Sequence, residues 1–188
     1  MTGVQKKIIV VDDNNANLTA CKKILKPYYE VYPAPSALKL FDLLEHVMPD
    51  LILLDVDMPD MNGYEVAGRM KKNDAFRGIP IIFLSGRVDP ASEIFGLNMG
   101  ALDYIHKPFV SELLLKRIET HLSLIDFKKL LEEQNKSLEQ LCTPLNNIID
   151  LLSTAMDTDD TEKIKDCLDK ANSASKDVLG RFKGILST

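Results

Sequence analysis

Five polar side chains follow short apolar runs in this 188-residue chain. Asp12 and Asp13 come directly after KIIVV, Asp55 closes LILLD, Ser85 follows IIFL, and Lys107 follows DYIH. Three carboxylates brought together repel one another and invite a hard divalent cation. Oxygen ligands with retained water suit Mg²⁺, with Mn²⁺ as an alternative. A lysine ammonium beside them would pair with a carboxylate or with a phosphoryl group. A cation and a lysine together would neutralise a phosphoryl group under attack by an aspartate. The plainer alternative is that Asp12, Asp13 and Asn14 only cap a helix.

That chemistry requires elements that deliver the five residues to one place. KIIVV (7–11), YEVYPA (29–34), DLILLDV (50–56) and IPIIFLSG (79–86) read as strands, and ALDYIHKPF (101–109) as a short strand and a turn. LTACKKIL, SALKLFDLLEHV (36–47), NGYEVAGRMKK (62–72), SEIFGLNMG (92–100) and a run starting near Val110 carry helical spacing. Five alternations of strand and helix predict an α/β fold whose parallel sheet is covered on both faces. Ligands in such sheets bind beyond the carboxyl ends of the strands. The five polar residues all stand at such ends.

The separated motifs VVDDNNAN, LILLDVDMPDMNG, FLSG and DYIHKPF make residues 5–122 resemble the receiver domain of bacterial response regulators. The resemblance implies a flavodoxin-like (βα)5 fold with a five-stranded parallel sheet. It implies that Asp55 is the phosphoacceptor, and that Asp12, Asp13, Asp55 and the Asp57 backbone carbonyl hold Mg²⁺. Ser85 would be the switch hydroxyl, Tyr104 the switch aromatic and Lys107 the phosphate-pairing lysine. Pro59 and Gly63 would shape the loop after Asp55, Gly86 would leave room beside the phosphoryl group, and the bond before Pro108 would be cis. On phosphorylation Ser85 would move toward the phosphoryl oxygens and Tyr104 would turn inward. This would alter the surface of helix 92–99, strand 102–105 and the helix after 110. Asp57 and Arg87, each two residues beyond a site residue, form a candidate pair that tunes phosphoryl lifetime. The alternative for that pair is an exposed ion pair of little consequence.

The C-terminal third reads as a helical hairpin, 123–188, with 123–136 as a helical linker. Leu124, Leu131, Leu138, Leu145 and Leu152 repeat every seven residues, and Phe127, Gln134, Leu141, Ile148 and Ala155 form a companion repeat. This pattern predicts a coiled-coil or bundle seam favouring a parallel homodimer, with a polar break at Gln134. MDTDDT (156–161) predicts a turn. A second helix follows, with Thr161 as a candidate cap and Ile164, Cys167, Leu168, Ala171, Ala174, Val178 and Phe182 inside, continued by Ile185 and Leu186. Two chains would then build a four-helix bundle; a monomeric hairpin is the alternative. LEQLCTPLNNIIDLL resembles the dimerisation and phosphotransfer helix of sensor histidine kinases. Thr143, Pro144, Leu145 and Asn146 match that pattern, whereas Glu139 occupies the histidine position and Gln140 the acidic one. The resemblance therefore implies a degenerate segment kept for association, with Pro144 as an inherited bend. Thr143 and Gln140 leave open a phosphatase role.

Composition narrows the function classes. A net charge of -5 and a pI of about 5.2, without a basic cluster, argue against nucleic-acid binding. Cys21, Cys142 and Cys167 are too far apart for a zinc pattern or disulfide framework, and so read as reduced thiols of a cytoplasmic protein. The opening MTGVQKKIIVVDD turns acidic after a run of four apolar residues, which is too short for direct membrane insertion. His46, His106 and His121 lack ligand spacing. The leading expectation is a bacterial phosphorelay protein that takes its phosphoryl group from a sensor histidine kinase or phosphotransfer protein. Its enzymatic activity would be limited to self-phosphotransfer and autodephosphorylation. A regulatory adaptor, or a phosphatase acting through the hairpin, is the alternative.

Overall fold

The computed structural model describes residues 5–86 and 89–186. Its elements are β1 (Lys7–Val11), α1 (Asn15–Leu25), β2 (Glu30–Ala34), α2 (Ala37–Leu44), β3 (Leu51–Asp55), α3 (Gly63–Lys72), β4 (Ile81–Ser85), α4 (Pro90–Asn98), β5 (Asp103–His106), α5 (Ser111–Met156) and α6 (Thr161–Leu186). All strands are parallel, in the order β2-β1-β3-β4-β5. This is the flavodoxin-like (βα)5 arrangement, and its strand order reverses between β1 and β3.

Parallel strands covered on both faces need apolar side chains on both, which explains the unbroken runs IIVV, LILL and IIFL. Ile9, Val11, Ile52, Leu54, Ile81, Phe83 and Tyr104 share one buried cluster with Leu40 and Leu44 of α2 and Val66, Ala67 and Met70 of α3. The alternate residues Ile8, Val10, Leu51, Leu53, Ile82, Leu84 and Ile105 are buried on the other face. Buried Leu18, Cys21 and Leu25 of α1, and Leu114, Ile118 and Leu122 of α5, serve that side. Each fully buried aliphatic side chain contributes about 1.5–3 kcal/mol. Helix starts are set by side-chain caps. Asn14 opens α1, Ser36 α2 and Asp89 α4, while Asn62 and Glu65 form a reciprocal capping box on α3.

The chain divides into two compact units, residues 1–124 and 125–188, with α5 running across the division. In the second unit α5 ends at Met156 and α6 begins at Thr161, so a four-residue connection makes the helices an antiparallel hairpin. Thr161 is not the cap. The Asp160 carboxylate accepts from the N–H groups of Glu162 and Lys163 at 3.0 and 3.3 Å, because Asp160 stands one position earlier, outside the first turn.

The heptad pattern predicted one seam, but burial separates it into two stripes. After Ile125, the part-buried positions of α5 here are Ser137, Leu141, Pro144, Ile148, Leu151 and Ala155. On α6 they are Ile164, Ala174 and Val178, with Cys167 and Ala171 buried between them. Measured along the chain from the turn, these pair at equal heights: Ala155 with Ile164, Leu151 with Cys167, Ile148 with Ala171, Pro144 with Ala174, Leu141 with Val178. Pro144 therefore stands at the height of a small residue. Leu124, Leu131, Leu138, Leu145 and Leu152, expected in the same seam, are all exposed. Phe127 is exposed too, and Gln134 does not interrupt the part-buried stripe. The side chains of Ile185 and Leu186 fall outside the described ones.

Candidate functional site

The carboxyl ends of β1, β3, β4 and β5 meet at one edge of the sheet, beside the reversal of strand order. Register fixes their heights: Val11 is level with Ala34 and Leu54, Asp55 with Leu84, and Ser85 with His106. Ligand atoms of Asp12, Asp13 and Asp55 all lie within 4.8 Å of one another. Asp12 and Asp55 are buried, whereas Asp13 is exposed.

Lys107 closes the cluster. Its Nζ lies 2.6 Å from Asp12 Oδ2 and 2.9 Å from Asp55 Oδ1. The backbone N–H of Lys107 donates to Ser85 O at 2.7 Å, tying the β5 end to the β4 end. The Lys107–Pro108 peptide bond is cis. Burial pushes the Asp55 carboxyl above its ordinary pKa; Lys107 works against this, and Asp12 adds to it. Burial also opposes the charged form of Lys107, but its bonds to Asp12 and Asp55 win and raise its pKa. The site thus holds a cation balanced against two buried anions.

Asn17, which the sequence reading passed over, secures Asp12. Its Nδ2 donates to both carboxylate oxygens, at 3.0 and 3.1 Å, and the Asn14 N–H adds a bond of 2.9 Å. The signal was available in DDNNAN: an amide five residues after Asp12 falls on the first turn of α1, facing back over the strand end. Gly63 is required for a steric reason. A Cβ there would stand 2.3 Å from Asp55 O, because the Gly63 N–H bonds Val56 O at 2.9 Å and draws α3 against the strand end. A Cβ on Gly86 would meet nothing within 4 Å. Pro59 lies in the exposed loop after Asp55. Asp57 is exposed, with its N–H 3.4 Å from Asp55 Oδ1. Arg87, its suggested partner, lies outside the described residues.

Ser85 is completely buried, and Tyr104 is only 2% exposed. Tyr104 was expected to turn inward on phosphorylation, yet it already stands inside. Gly96 of α4 leaves it the room, since a Cβ there would sit 3.1 Å from the rings of both Phe83 and Tyr104. Tyr64 of α3 adds a contact that the sequence did not announce. Its hydroxyl donates to Ser92 O at 3.0 Å and lies 3.4 Å from the Tyr104 hydroxyl, while its ring meets Phe83 and Phe95 edge-on at 5.0 Å. Arg117 and His121 converge on Asp103, at 2.9 and 3.2 Å. His121 thus has a structural partner and no metal ligand around it among the described residues. His106 lies 3.4 Å from Glu93. Ile94, Phe95, Leu97, Leu102, Val110 and Leu113 form the exposed apolar part of α4, β5 and the start of α5.

The family model described as the response regulator receiver domain matches residues 8–119. The chain belongs to that family. A probable cyclic di-GMP phosphodiesterase of Vibrio cholerae is 39% identical over 135 residues, covering 72% of this chain and 31% of that protein. Hybrid signal transduction histidine kinase D of Dictyostelium discoideum is 31% identical over 142 residues, covering 73% of this chain and 9% of that protein. The chain thus spans less than a third of the length of these relatives. Among solved structures, the CheY-like receiver domain protein of Methanospirillum hungatei JF-1 superposes with a TM-score of 0.61 at 32% identity. That match covers 66% of this chain and 99% of the other. The receiver is therefore a two-component signalling domain, with additional helices on its carboxyl side. Its acidic cluster is the kind that serves phosphorylation and Mg²⁺ binding. The donor set fits a hard cation: oxygen ligands only, one of the three carboxylates open to solvent. No helix among the described residues is long and apolar enough to cross a membrane.

Within the second unit, Thr143 Oγ1 donates to Glu139 O at 3.1 Å, a local bond within α5. Glu139 and Gln140 are exposed.

Proposed function

We propose that the protein is a phosphoryl-accepting signalling component in which Asp55 takes a phosphoryl group from the phosphohistidine of a sensor histidine kinase or phosphotransfer protein. The observation carrying this reading is Lys107 Nζ bridging the buried Asp12 and Asp55 carboxylates at a parallel-sheet switch point. An Asp55 carboxylate oxygen attacks phosphorus, the P–N bond breaks, and the imidazole leaves with that electron pair. The product is an acyl phosphate on Asp55. Asp12, Asp13, Asp55 and the Asp57 carbonyl would hold Mg²⁺ or Mn²⁺, which when bound supplies neutralising charge for the phosphoryl oxygens. Lys107 exchanges its Asp55 contact for a phosphoryl oxygen, and buried Ser85 donates its hydroxyl to another. Tyr104 sits behind Ser85 and fixes the state of the α4–β5–α5 surface, where exposed Phe95 and Leu113 would meet a partner. The domain assignment follows as receiver 5–122 and helical region 123–188, its first part, 123–136, serving as linker. That region homodimerises and carries the output through protein contacts.

A phosphatase role for Thr143 and Gln140 is the weaker reading, since Thr143 spends its hydroxyl on its own helix. Incubation with phosphoramidate, a small P–N donor, and Mg²⁺ tests the main reading. One phosphoryl group should appear by intact mass and be lost in Asp55→Asn. Undiminished labelling of Asp55→Asn would refute the assignment.

A further inference from the structure

Beyond the part-buried seam, both hairpin helices carry a second apolar stripe. On α5 the residues Leu138, Cys142, Leu145, Ile149, Leu152 and Met156 recur at spacings of four and three. All are exposed, Ile149 by 61%. At 100° per residue this stripe lies about 100° around α5 from the seam. On α6 the exposed Leu168, Leu179 and Phe182, with the polar Asn172 and Ser175 between them, lie about 80° around from their own seam. Because the two helices run in opposite directions, rotations of the same sense in sequence order bring both stripes to the same side of the hairpin. The result is one apolar face about two helices wide and roughly 28 Å long. That approaches the several hundred Å² that one partner gives to a standard interface.

Charge and height select what covers this face. The α5 part from Ile125 to Met156 has five acidic and three basic side chains, net −2; α6 has four acidic and six basic, net +2. A second copy can lie face to face in two ways. A twofold axis across the helices stacks α5 on α5 and α6 on α6, like charge on like. A twofold axis along the helices stacks each acidic α5 on the partner's basic α6, at equal distance from the two turns. In that second arrangement Ile149 meets Leu168 of the partner subunit, Leu138 meets Leu179 of the partner subunit, and Cys142 meets the small Ser175 of the partner subunit. Two leucine-containing apolar pairs thus coincide and a larger side chain stands opposite a small one, while Leu145 falls opposite Asn172 of the partner subunit.

We infer that this face, centred on Leu145, Ile149 and Leu168, is where a second copy of the chain docks, each α5 packing against the partner's α6. The inference rests on the homodimer reading above and changes its seam. The contact is heterotypic, rather than a leucine zipper of α5 on α5. It excludes Leu124 and Leu131, which lie beyond the length of α6.

The test uses the full chain and reads mass by light scattering across a dilution series. The native chain is expected to be dimeric. Ile149→Glu places an unpaired carboxylate at the centre of the face and should weaken dimerisation by roughly a hundredfold or more. Because Ile149 is exposed in the single chain, the protomer should keep its fold. Ser175→Cys provides a reading that destabilises nothing. Under mild oxidation it should give a disulfide-linked dimer through Cys142, at a yield well above the native chain. A native monomer would overturn the homodimer reading as a whole. A dimer that survives Ile149→Glu, or a Ser175→Cys chain that cross-links no better than the native one, would overturn this face alone.

Discussion

Lys107 holds apart two carboxylates that the fold has buried, and removing its charge should expose the cost. Lys107→Met keeps most of the side-chain stem and deletes the ammonium. Two ion pairs at 2.6 and 2.9 Å disappear, each worth about 6 kcal/mol of attraction at an effective dielectric near 20. What is left is Asp12 and Asp55, within 4.8 Å of each other, repelling by about 3–4 kcal/mol on the same scale. Burying the ammonium had its own desolvation cost, which offsets much of the lost attraction. Broken buried pairs accordingly cost about 3–5 kcal/mol, and that loss is the expectation here. A divalent cation supplies the missing charge, so the deficit should be full in EDTA and shrink by about 1–2 kcal/mol in millimolar Mg²⁺. Urea unfolding followed by tyrosine fluorescence isolates the effect. The chain has no tryptophan, and all five tyrosines, Tyr28, Tyr29, Tyr32, Tyr64 and Tyr104, belong to the first unit. A deficit below about 1 kcal/mol in EDTA, or one that Mg²⁺ leaves unchanged, would refute the reasoning.

Gly63→Ala should destabilise the receiver by about 3 kcal/mol or more, because the new methyl would stand 2.3 Å from a backbone carbonyl that cannot rotate away; the same unfolding assay measures it. Tyr64→Phe removes the bond to Ser92 O and should cost about 1 kcal/mol, with faster hydrogen exchange concentrated in α4; unchanged exchange there would show that Tyr64 does not hold that helix. Thiol titration of the folded chain, diluted until it is monomeric, should find one fast group, exposed Cys142. Cys167 is buried, and the Cys21 pKa is pushed up to about 11 by burial, then by Asp12, against the opposing pull of Lys107. Burial by itself would raise the Asp103 pKa, but bonds from the Tyr104 N–H, Arg117 and His121 outweigh it and lower the folded value. The stability these contacts add is therefore present above the ordinary carboxylate pKa of about 4 and lost as pH falls through the lower folded value. The gap in urea midpoint between the native chain and Asp103→Asn should narrow below pH 4 and stay constant from pH 5 to 7.

Much of the receiver was legible in sequence because its signals are local. Unbroken β-branched and leucine runs mark strands buried on both faces, and a polar residue directly after such a run must stand at the strand end. Asp12, Asp55, Ser85 and Lys107 were placed that way, and register brought them together. Asn17 and Tyr64 were missed for a related reason. Their types are ordinary on a helix, and only the approach of α1 to Asp12, and of α3 to α4, gives them their partners. The inward Tyr104 likewise depends on Gly96, eight residues away on another element.

The hairpin shows where sequence periodicity stops. A seven-residue repeat establishes that two apolar stripes run along α5, but it is silent on which stripe meets α6 and which is left outside. Both obey the same spacing, and the choice is made by where the turn at Asp157–Asp160 brings α6 back. Small Ala171 and Ala174 take the heights of Ile148 and Pro144, so that stripe closes and the leucine stripe remains exposed. The sequence by itself determined the elements, the strand-end chemistry and the apolar stripes, because each follows from spacing along one segment. Only tertiary structure decided which partners those groups meet, because packing joins segments whose distance along the chain carries no record of their distance in space.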